Sequence, residues 1–367
     1  MKVPLLDLRA QYDTLRPELD DAVRRVMESC RFIGGPEVSA LEEEVARYSQ
    51  AKHAVACASG TDALLIALWA LGIGPGDEVV TSAYSFFASA GTIANNGATP
   101  VFVDIDPRTF NLDPHLLESA ITPRTKAVVA VSLFGQCADL PAIQAICDKR
   151  QVYLIEDAAQ SIGSEWEGHR SGSLTDFGCF SFFPSKNLGG AGDGGMMVTQ
   201  SAERAETARL LCNHGARPKY HHGLVGTNSR LDALQAAILR VKLRHLDRWS
   251  EQRARNAALY HQLFEGSKVG RPWHDPRTRH IYNQYVIRVP KRDALQRHLA
   301  ERGIGCEVYY PVPLHLQKCF AHLGHKPGDM PHSEAAANET LALPIYPELS
   351  EEQIRYVAQT VREFVEA

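Results

Sequence analysis

The 367-residue sequence predicts an α/β fold in which helices cover both faces of a mostly parallel β-sheet. From about residue 50 to residue 215, short β-branched and apolar runs alternate with helical patterns. These runs are continuously apolar, which is typical of strands that are buried on both faces. A chain of this length also has room for a large core and more than one domain.

The predicted elements follow one another along the chain. Residues 53–58 (HAVACA) form a strand, and residues 61–72 (TDALLIALWALG) form a helix that is apolar nearly all round and therefore buried. The next helix is predicted at LPAIQAICDKR. Further strands are predicted at GPGDEVVTS, PVFVDID (100–106), TKAVVAVSLF (125–134), QVYLIEDAA (151–159), DFGCFSFF and GGMMVTQ.

A long amphipathic helix is predicted to begin near Arg230 and to link a large domain, residues 1–248, to a smaller α+β domain, residues 249–367. Its apolar stripe consists of Leu231, Leu234, Ile238, Val241 and Leu246. The smaller domain contains the strand QYVIRV and the helices RDALQRHLAERG and SEEQIRYVAQTVREFVE.

Composition excludes several function classes. A net charge of −4 and a pI near 6.4 disfavour nucleic-acid and anionic-membrane partners. No run approaches the roughly 20 apolar residues of a membrane span, and the N-terminus becomes charged too soon for a secretory signal. The eight cysteines form no CxxC pair, which favours a reduced, cytoplasmic location. No metal site is expected, because the adjacent His221 and His222 would point in different directions.

One lysine stands in an unusual place. In residues 180–198, FSFFPSKNLGGAGDGGMMV, an apolar strand leads into Lys186 and then into a glycine-rich loop. Desolvating a lysine costs free energy, and glycines let another group approach the main chain closely. Lys186 is therefore either a solvated lysine in a flexible turn or a lysine that binds a cofactor covalently.

Two other motifs favour the covalent interpretation. Asp157, in IEDAAQS, ends a buried strand, where it is either a helix cap or the partner of a positive group. Gly60 and Thr61, in ASGTDALLIAL, lie at a strand–helix junction whose free N–H groups suit a phosphate, although such turns often bind nothing. A phosphate site, a carboxylate and a desolvated lysine are the three parts that pyridoxal 5′-phosphate (PLP) needs.

The chain resembles the sugar aminotransferases of the DegT/DnrJ/EryC1/StrS family, a branch of the fold-type-I PLP enzymes. The resemblance runs from about residue 3 to the C-terminus and implies a seven-stranded sheet. It is carried by GPEVSALEEEVARY, ASGTDALLIAL, GIGPGDEVVTS, TPVFVDIDPRTFNLDP, IEDAAQS, FFPSKNLGGAGDGGMMV and GTNSRLDALQAAIL.

The resemblance implies roles for residues around the PLP ring. Lys186 matches the lysine that forms the Schiff base and moves the proton in transamination. Because a dehydratase branch has histidine there, Lys186 favours amino transfer. Asp157 matches the partner of the pyridine nitrogen, and Gln160 the residue near the phenolic oxygen. Phe86 either stacks on the pyridine face or simply packs in the core.

The resemblance also implies a phosphate site that two subunits share. Gly60, Thr61 and Ser181 match the phosphate ligands of one subunit, and Asn228 matches an asparagine that the neighbouring subunit contributes. A homodimer with shared active sites is therefore expected. Ser181 alone would also fit a neutral core serine, and Asn228 a turn or cap.

Family members transfer an amino group, usually from L-glutamate, to a keto sugar on a nucleotide diphosphate, by a ping-pong mechanism through pyridoxamine phosphate. Arg230 either binds a carboxylate or the diphosphate or forms a surface ion pair. Tyr309, Tyr310 and His315, in EVYYPVPLHLQ, match the loop that touches the sugar.

Two segments, GQCAD and YHH, resemble most the members that act on UDP-2-acetamido-2-deoxy-3-keto-glucuronate, for bacterial surface polysaccharides such as lipopolysaccharide and O-antigen. The alternative substrate is a dTDP-3-keto- or 4-keto-6-deoxyhexose, because enzymes for such sugars share NSRLD. The loop also departs from the close relative's pattern, with Tyr309 where that pattern has histidine.

Three rival functions come from other classes. Another PLP reaction, such as dehydration or C–C cleavage, would use the same cofactor. A regulatory or sensing protein that binds DNA is disfavoured by the negative charge and by the lack of a basic recognition helix. A structural module would leave Lys186, Asp157 and the glycine-rich loop without a reason.

Overall fold

The structure is a computed structural model that describes residues 1–366. The described helices are α1 (Leu8–Ser29), α2 (Pro36–Tyr48), α3 (Gly60–Ala70), α4 (Ala88–Asn95), α5 (Pro114–Ala120), α6 (Leu140–Arg150), α7 (Ala202–Leu211), α8 (Ala233–Leu243), α9 (Leu246–Leu263), α10 (Arg292–Glu301), α11 (Pro331–Glu339) and α12 (Glu351–Glu366). The described strands are β1 (His53–Cys57), β2 (Glu78–Ser82), β3 (Thr99–Val103), β4 (Thr125–Val131), β5 (Tyr153–Asp157), β6 (Glu165–Trp166), β7 (His169–Arg170), β8 (Phe177–Ser181), β9 (Gly195–Thr199), β10 (Thr278–Arg279), β11 (Tyr285–Arg288) and β12 (Thr340–Leu343).

The large sheet has seven strands in the order β1-β9-β8-β5-β4-β2-β3. Strand β9 runs antiparallel to both of its neighbours, β1 and β8. The remaining neighbours pair in parallel. The predicted mostly parallel seven-stranded sheet is therefore confirmed, and the carboxyl ends of its parallel strands share one edge.

Helices cover both faces of this sheet, as the continuous apolar strands predict. On β1, Val55 packs in one buried cluster with α3 and α7, whereas Ala54 packs in another with α2 and α8. Helix α3 is buried along most of its length, in agreement with its apolar sequence. Burial on both faces fixes the register of each strand, because a shift of one residue would exchange the two faces.

The prediction of one long helix after Arg230 is wrong, because the structure has two helices there. Helix α8 ends at Leu243, and α9 begins at Leu246. Leu246 still packs in the core of the large sheet, whereas Tyr260 and Phe264 pack in a separate C-terminal core. The chain changes direction at the break because the two ends of this segment pack in different cores.

The C-terminal core lies among α9, α10, α12 and the antiparallel pair β11–β12. These elements agree with the strand and helices predicted for the smaller α+β region. Val3 also belongs to this core, and its N–H donates to the carbonyl of Gly303 at 2.9 Å. The division of the chain at residue 248 stays a prediction.

Some elements carry no prediction from the sequence. They include α1, α2, β12 and the short three-stranded sheet β10-β6-β7. Within residues 1–366, no helix combines the length and the apolar character needed to cross a membrane.

Candidate active site

A cavity of about 390 Å³ opens at the carboxyl edge of the large sheet. Ligands of parallel α/β sheets bind at this edge, beyond the ends of the strands. The cavity is lined from loops that follow β1, β2, β5 and β8, and from two segments near β11 and Tyr309. The polar and aromatic lining residues are Ser59, Gly60, Thr61, Ser85, Phe86, Asp157, Gln160, Ser181, Phe183, Ser185, Lys186, Asp193, Asn283, Gln284, Tyr309 and Tyr310.

Lys186 lies on the loop after β8, and its side chain lines the cavity. Its N–H donates to the carbonyl of Phe183 at 2.8 Å, which closes a tight turn. The next residue, Asn187, is buried and accepts a hydrogen bond from Asn283 Nδ2 at 2.7 Å. Gly189 leaves no room for a side chain, since a Cβ there would lie 2.2 Å from the carbonyl oxygen of Pro184. The backbone that carries Lys186 is therefore closely constrained.

The surrounding protein makes the Lys186 amine a weak base. Desolvation lowers its pKa to about 8, and the negative charge of Asp157 opposes that shift. At neutral pH, a far larger share of this amine is uncharged than in an exposed lysine. An uncharged amine is the form that attacks a carbonyl carbon.

Asp157 is buried at the end of β5. Its carboxylate accepts hydrogen bonds from Ser89 Oγ at 2.7 Å and from the N–H of Ala159 at 3.2 Å. Burial raises the pKa of Asp157, and these two hydrogen bonds and the positive charge of Lys186 oppose the rise. The residues after Asp157 form turns and not a helix, so the helix-cap interpretation is wrong.

The junction of β1 and α3 forms a cradle of main-chain N–H groups. Ser59 caps α3, with its Oγ accepting from the N–H of Asp62 at 3.0 Å. A Cβ on Gly60 would lie 2.6 Å from the Cβ of Ser181, so a side chain at Gly60 does not fit. Thr61 and Ser181 also line the cavity, and Ser181 lies next to Gly60. The start of an 11-residue helix with adjacent hydroxyls suits a phosphate.

Phe86 and Gln160 both line the cavity, and both interact with Tyr310. Phe86 is 54% exposed, so the core-packing interpretation is wrong for this residue. Its ring centroid lies 6.0 Å from that of Tyr310. Gln160 accepts from the N–H of Phe134 at 2.8 Å and donates to the hydroxyl of Tyr310 at 3.0 Å. Tyr310 is therefore a common neighbour of these two residues.

These residues fit PLP on grounds of geometry and charge. The cradle at Gly60 is too narrow for a Cβ but open to an anion. The buried carboxylate of Asp157 has room for a cationic partner on the cavity side. Lys186 supplies the amine. Among residues 1–366, no three His, Cys, Asp or Glu side chains cluster as a metal site would.

Three predicted residues lie outside the cavity of their own chain. Asn228 and Arg230 are exposed, and Arg230 Nη1 donates to Asn213 Oδ1 at 3.2 Å. His315 is only 1% exposed, and its Nε2 lies 3.2 Å from Glu334 Oε1. His315 does not line the cavity, so its predicted contact with the sugar stays a prediction.

Several residues in or next to the cavity were not predicted from the sequence. Ser89 follows Phe86 by one helical turn and is buried against Asp157, outside the cavity lining. Asn283 and Gln284 come from a segment far along the chain from Lys186. Asp193 lies within the glycine-rich loop, so its position was the most accessible to prediction.

Comparison with known proteins identifies the family. The sequence profile described as "DegT/DnrJ/EryC1/StrS aminotransferase family" matches residues 13–362. The chain belongs to this family. It is a PLP-dependent sugar aminotransferase, in agreement with the resemblance found in its motifs.

Three relatives in the DegT/DnrJ/EryC1/StrS family match nearly all of the chain. A "Pleiotropic regulatory protein" of Geobacillus stearothermophilus is 53% identical and covers 99% of each chain. A UDP-N-acetyl-3-dehydro-alpha-D-glucosamine 3-aminotransferase of Acidithiobacillus ferrooxidans is 46% identical, over 98% of this chain and 97% of its own. A UDP-2-acetamido-2-deoxy-3-oxo-D-glucuronate aminotransferase of Pseudomonas aeruginosa is 44% identical, over 97% and 98%. Other relatives are named for dTDP-linked amino sugars.

Solved structures of the family have the same fold. DesV of Streptomyces venezuelae, in complex with a ketimine intermediate, has a TM-score of 0.98 and 44% identity, over 100% of this chain and 99% of its own. NtdA of Bacillus subtilis, with bound pyridoxamine phosphate, has a TM-score of 0.93 and 30% identity, over 100% and 86%. The fold predicted from the sequence is therefore confirmed.

Proposed function

We propose that the enzyme transfers the amino group of L-glutamate to the 3-keto group of a nucleotide-linked sugar, with UDP-2-acetamido-2-deoxy-3-keto-glucuronate as the main candidate. The observation that carries the proposal is the placement of Lys186, Asp157 and the Gly60 cradle around one cavity. The names of two relatives support a UDP-linked 3-keto substrate.

The residues of the cavity divide the work of amino transfer. PLP, when bound, takes up the amino group of one substrate, releases it to the other, and withdraws electrons from the reacting carbon. Asp157 presents an anion to the pyridine nitrogen, and the cradle at Gly60 holds the phosphate. Lys186 Nζ would hold the cofactor through its aldehyde carbon, with loss of water, and as a free amine would accept the proton of the carbon that bears the amino group. Phe86 covers one face of the ring.

The sugar end of the cavity is polar but carries no guanidinium group from the described part of the chain. It is lined there by Asn283, Gln284, Tyr309 and Tyr310. These side chains suit hydroxyl and amide groups of a sugar. A uronate carboxylate and a diphosphate also need cations, so we propose that Arg230 of the partner subunit supplies one.

This arrangement is a homodimer with shared active sites. Asn228 and Arg230 are exposed and close together in the chain, near the largely exposed side chains of Tyr220 and Val225. In the proposed dimer, Asn228 of the partner subunit reaches the phosphate. We place the enzyme in the cytoplasm and its product in a surface polysaccharide such as lipopolysaccharide or O-antigen.

The alternative is a dTDP-3-keto- or 4-keto-6-deoxyhexose as amino acceptor. Relatives named for dTDP-linked amino sugars favour it. Such a sugar carries no carboxylate at C6, so the diphosphate would be the only anionic group of the substrate for Arg230 to bind.

The absorption spectrum of the holoenzyme tests the proposal. L-glutamate should bleach the yellow band of bound PLP and release one equivalent of 2-oxoglutarate for each site. A yellow protein whose spectrum does not respond to L-glutamate would support PLP as the cofactor but would refute L-glutamate as the amino donor. Dehydration or C–C cleavage products would point to another PLP reaction.

The acceptor is best identified in the reverse direction, because amino sugars are more stable than keto sugars. The enzyme is offered UDP-2-acetamido-3-amino-2,3-dideoxyglucuronate, its neutral C6 analogue, and a dTDP-3-amino-6-deoxyhexose, each with 2-oxoglutarate. The main proposal expects the uronate to have the highest kcat/KM. Arg230→Gln should then raise KM for the uronate more than for the neutral analogue.

Mixed dimers test whether the site is shared. Lys186→Ala and Asn228→Ala homodimers are each impaired, but a heterodimer of the two should contain one intact site and recover activity. The matched control combines Lys186→Ala with Asp157→Asn, which lie in the same site of one chain and should not complement. No recovery with Asn228→Ala would place this residue outside the partner's site.

A further inference from the structure

We infer that Ser89 is a positioning residue for Asp157, and that Ser85 is the outer member of a hydrogen-bond chain running from the cavity through Ser89 to this carboxylate. The inference concerns the pyridine end of the site and rests on the PLP chemistry of the proposed function. The sequence predicts no role for either serine.

The three side chains form a continuous line. Ser89 lies in the first turn of α4 with no exposed surface. Its Oγ is 2.7 Å from Asp157 Oδ2 and 2.9 Å from Ser85 Oγ. Ser85 is 3% exposed, and that exposed part lines the cavity. Asp157 is thus approached from its buried side by a hydroxyl group and from the other side by the cavity.

The charge of Asp157 determines the direction of both hydrogen bonds in this series. An ionised carboxylate only accepts hydrogen bonds, so the single proton of Ser89 must point to Asp157. The oxygen of Ser89 is then free to accept the proton of Ser85. A distance of 2.7 Å agrees with a hydrogen bond from a hydroxyl to a charged oxygen.

Ser89 matters because Asp157 has few other protein donors. The N–H of Ala159, at 3.2 Å, is the second one. Burial raises the pKa of Asp157, and the hydrogen bond from Ser89 is the largest effect that opposes it, followed by that from Ala159 and the charge of Lys186. Without Ser89, the ionised form is less stable, and a protonated Asp157 no longer presents an anion to the pyridine nitrogen.

Other titratable groups also interact electrostatically with Asp157 and must stay unchanged in the test. They are Lys186 across the cavity, Glu156 in the same strand, Cys179 in β8 and Tyr310 from the loop opposite. A change at Ser89 leaves all four in place, so a shift in pH dependence reports on the hydrogen bond itself.

The test compares Ser89→Ala with Thr92→Val in the same helix. Thr92 is also buried, but its Oγ1 bonds to the carbonyl of Ala88 at 2.8 Å and not to Asp157. The first readout is the affinity of the apo protein for pyridoxamine 5′-phosphate, which binds without a bond to Lys186. In Ser89→Ala, the pH below which this affinity weakens should rise by about one unit, whereas Thr92→Val should behave as wild type.

The second readout is kinetic. For the L-glutamate half-reaction, Ser89→Ala should lower the rate constant by about tenfold to a hundredfold with KM nearly unchanged. Ser85→Ala, which keeps the bond from Ser89 to Asp157, should have a smaller effect. Ser89→Cys keeps a weak hydrogen-bond donor, and it replaces Ser89→Ala in these measurements if the alanine variant does not fold. It should fall between wild type and Ser89→Ala.

The inference is overturned if Ser89→Ala matches wild type in the pH dependence of pyridoxamine phosphate binding. It is also overturned if Thr92→Val shows the same shift, since packing would then explain both. Failure of the proposed function looks different. Wild-type holoenzyme would then not convert L-glutamate, while the binding shift in the apo protein would remain.

Discussion

Two adjacent carboxylates on β5 face opposite sides of the sheet and have different surroundings. Glu156 faces the protein interior, where it accepts from Ser132 Oγ at 2.6 Å, Ser171 Oγ at 2.7 Å and the N–H of Gly172 at 2.5 Å. These donors occupy both of its oxygens. Asp157 accepts from two donors and faces the cavity.

The two groups share the property that is often used to find active sites. Burial raises the pKa of both Glu156 and Asp157. What separates them is the remaining capacity of the carboxylate to accept a new partner and the space beside it. A shifted pKa therefore identifies a buried group, and only the cavity identifies a functional one.

Two lysines show the same pKa shift in different surroundings. Desolvation lowers the pKa of Lys242 to about 8, as it does for Lys186. Lys242 donates to the carbonyl of Gly189 at 2.7 Å and so holds the glycine-rich loop from outside. Lys186 faces the cavity with Asp157. The two lysines serve as matched controls for each other.

The largest expected effect comes from Lys186→Ala. It should lower the rate of amino transfer by at least about a thousandfold, because the chain loses both the amine and the proton carrier. Borohydride reduction of the PLP-loaded protein, followed by mass spectrometry, should label a peptide with Lys186 in wild type and none in the variant. Lys242→Met is the control and should label as wild type. A label on Lys242 would reverse the roles of the two lysines.

Asp157→Asn comes next. The neutral amide has nearly the same shape but provides no negative charge for the pyridine nitrogen, so kcat should fall by about a hundredfold to a thousandfold. Thermal unfolding of the apo protein should show no loss of stability. Single-turnover kinetics with L-glutamate measures the effect. Equal losses of rate in Asp157→Asn and Glu156→Gln would contradict the division between the two carboxylates.

The pH dependence of PLP uptake reports on Lys186. With a pKa of about 8, the initial rate of PLP attachment should rise about tenfold per unit below pH 8 and level off above it. An exposed lysine would give a rise that continues to about pH 10. Stopped-flow absorbance over this range distinguishes the two, and a bend far above pH 8 would show that the amine is not desolvated.

Glu156→Gln should affect stability more than chemistry. The amide turns an acceptor position into a donor, so at least one of its three hydrogen bonds is lost. The free energy of unfolding should fall by about 1–3 kcal/mol. Urea denaturation measures this loss, and the rate with L-glutamate should stay within a few-fold of wild type on the folded protein. A large loss of rate at full stability would assign Glu156 a role in the site.

The smallest expected effect is on the stability of the apo protein. The pKa of Asp157 is higher in the folded protein than in the unfolded chain. Its contribution to the free energy of unfolding is therefore fully present below about pH 4 and is lost as the pH rises through the folded pKa. The unfolding free energy of wild type should therefore fall relative to that of Asp157→Asn as the pH rises above about 4, by about 1.4 kcal/mol for each unit of pKa shift. A difference in unfolding free energy between the two proteins that does not change with pH would contradict this prediction.

The strands and several site residues could be predicted from the sequence because their signals are local. The apolar runs around Ile155 and Val198 specify strands buried on both faces, and the structure has them as β5 and β9. Lys186 and Asp157 were found because a charged residue at the end of an apolar strand needs a reason. Gly60 was found because its junction with α3 exposes N–H groups.

Other features depend on contacts between distant parts of the chain. Whether Asp157 or Glu156 faces the cavity is decided by which side of β5 the loops after β1 and β2 cover. The break before Leu246 depends on two cores that the helix pattern does not show. His315 shares a loop with Tyr310, but the packing of that loop brings only Tyr310 to Gln160.

The sequence by itself determined the fold class, the family and the positions of the lysine, the carboxylate and the main-chain cradle at Gly60, because local patterning and backbone chemistry specify them. The tertiary structure decided which donors each carboxylate keeps and which side chains line the cavity. Ser89 is the clearest case, since it becomes a partner of Asp157 only when α4 packs against the end of β5. The two residues are 68 positions apart in the sequence, and no local pattern encodes a pairing over that separation.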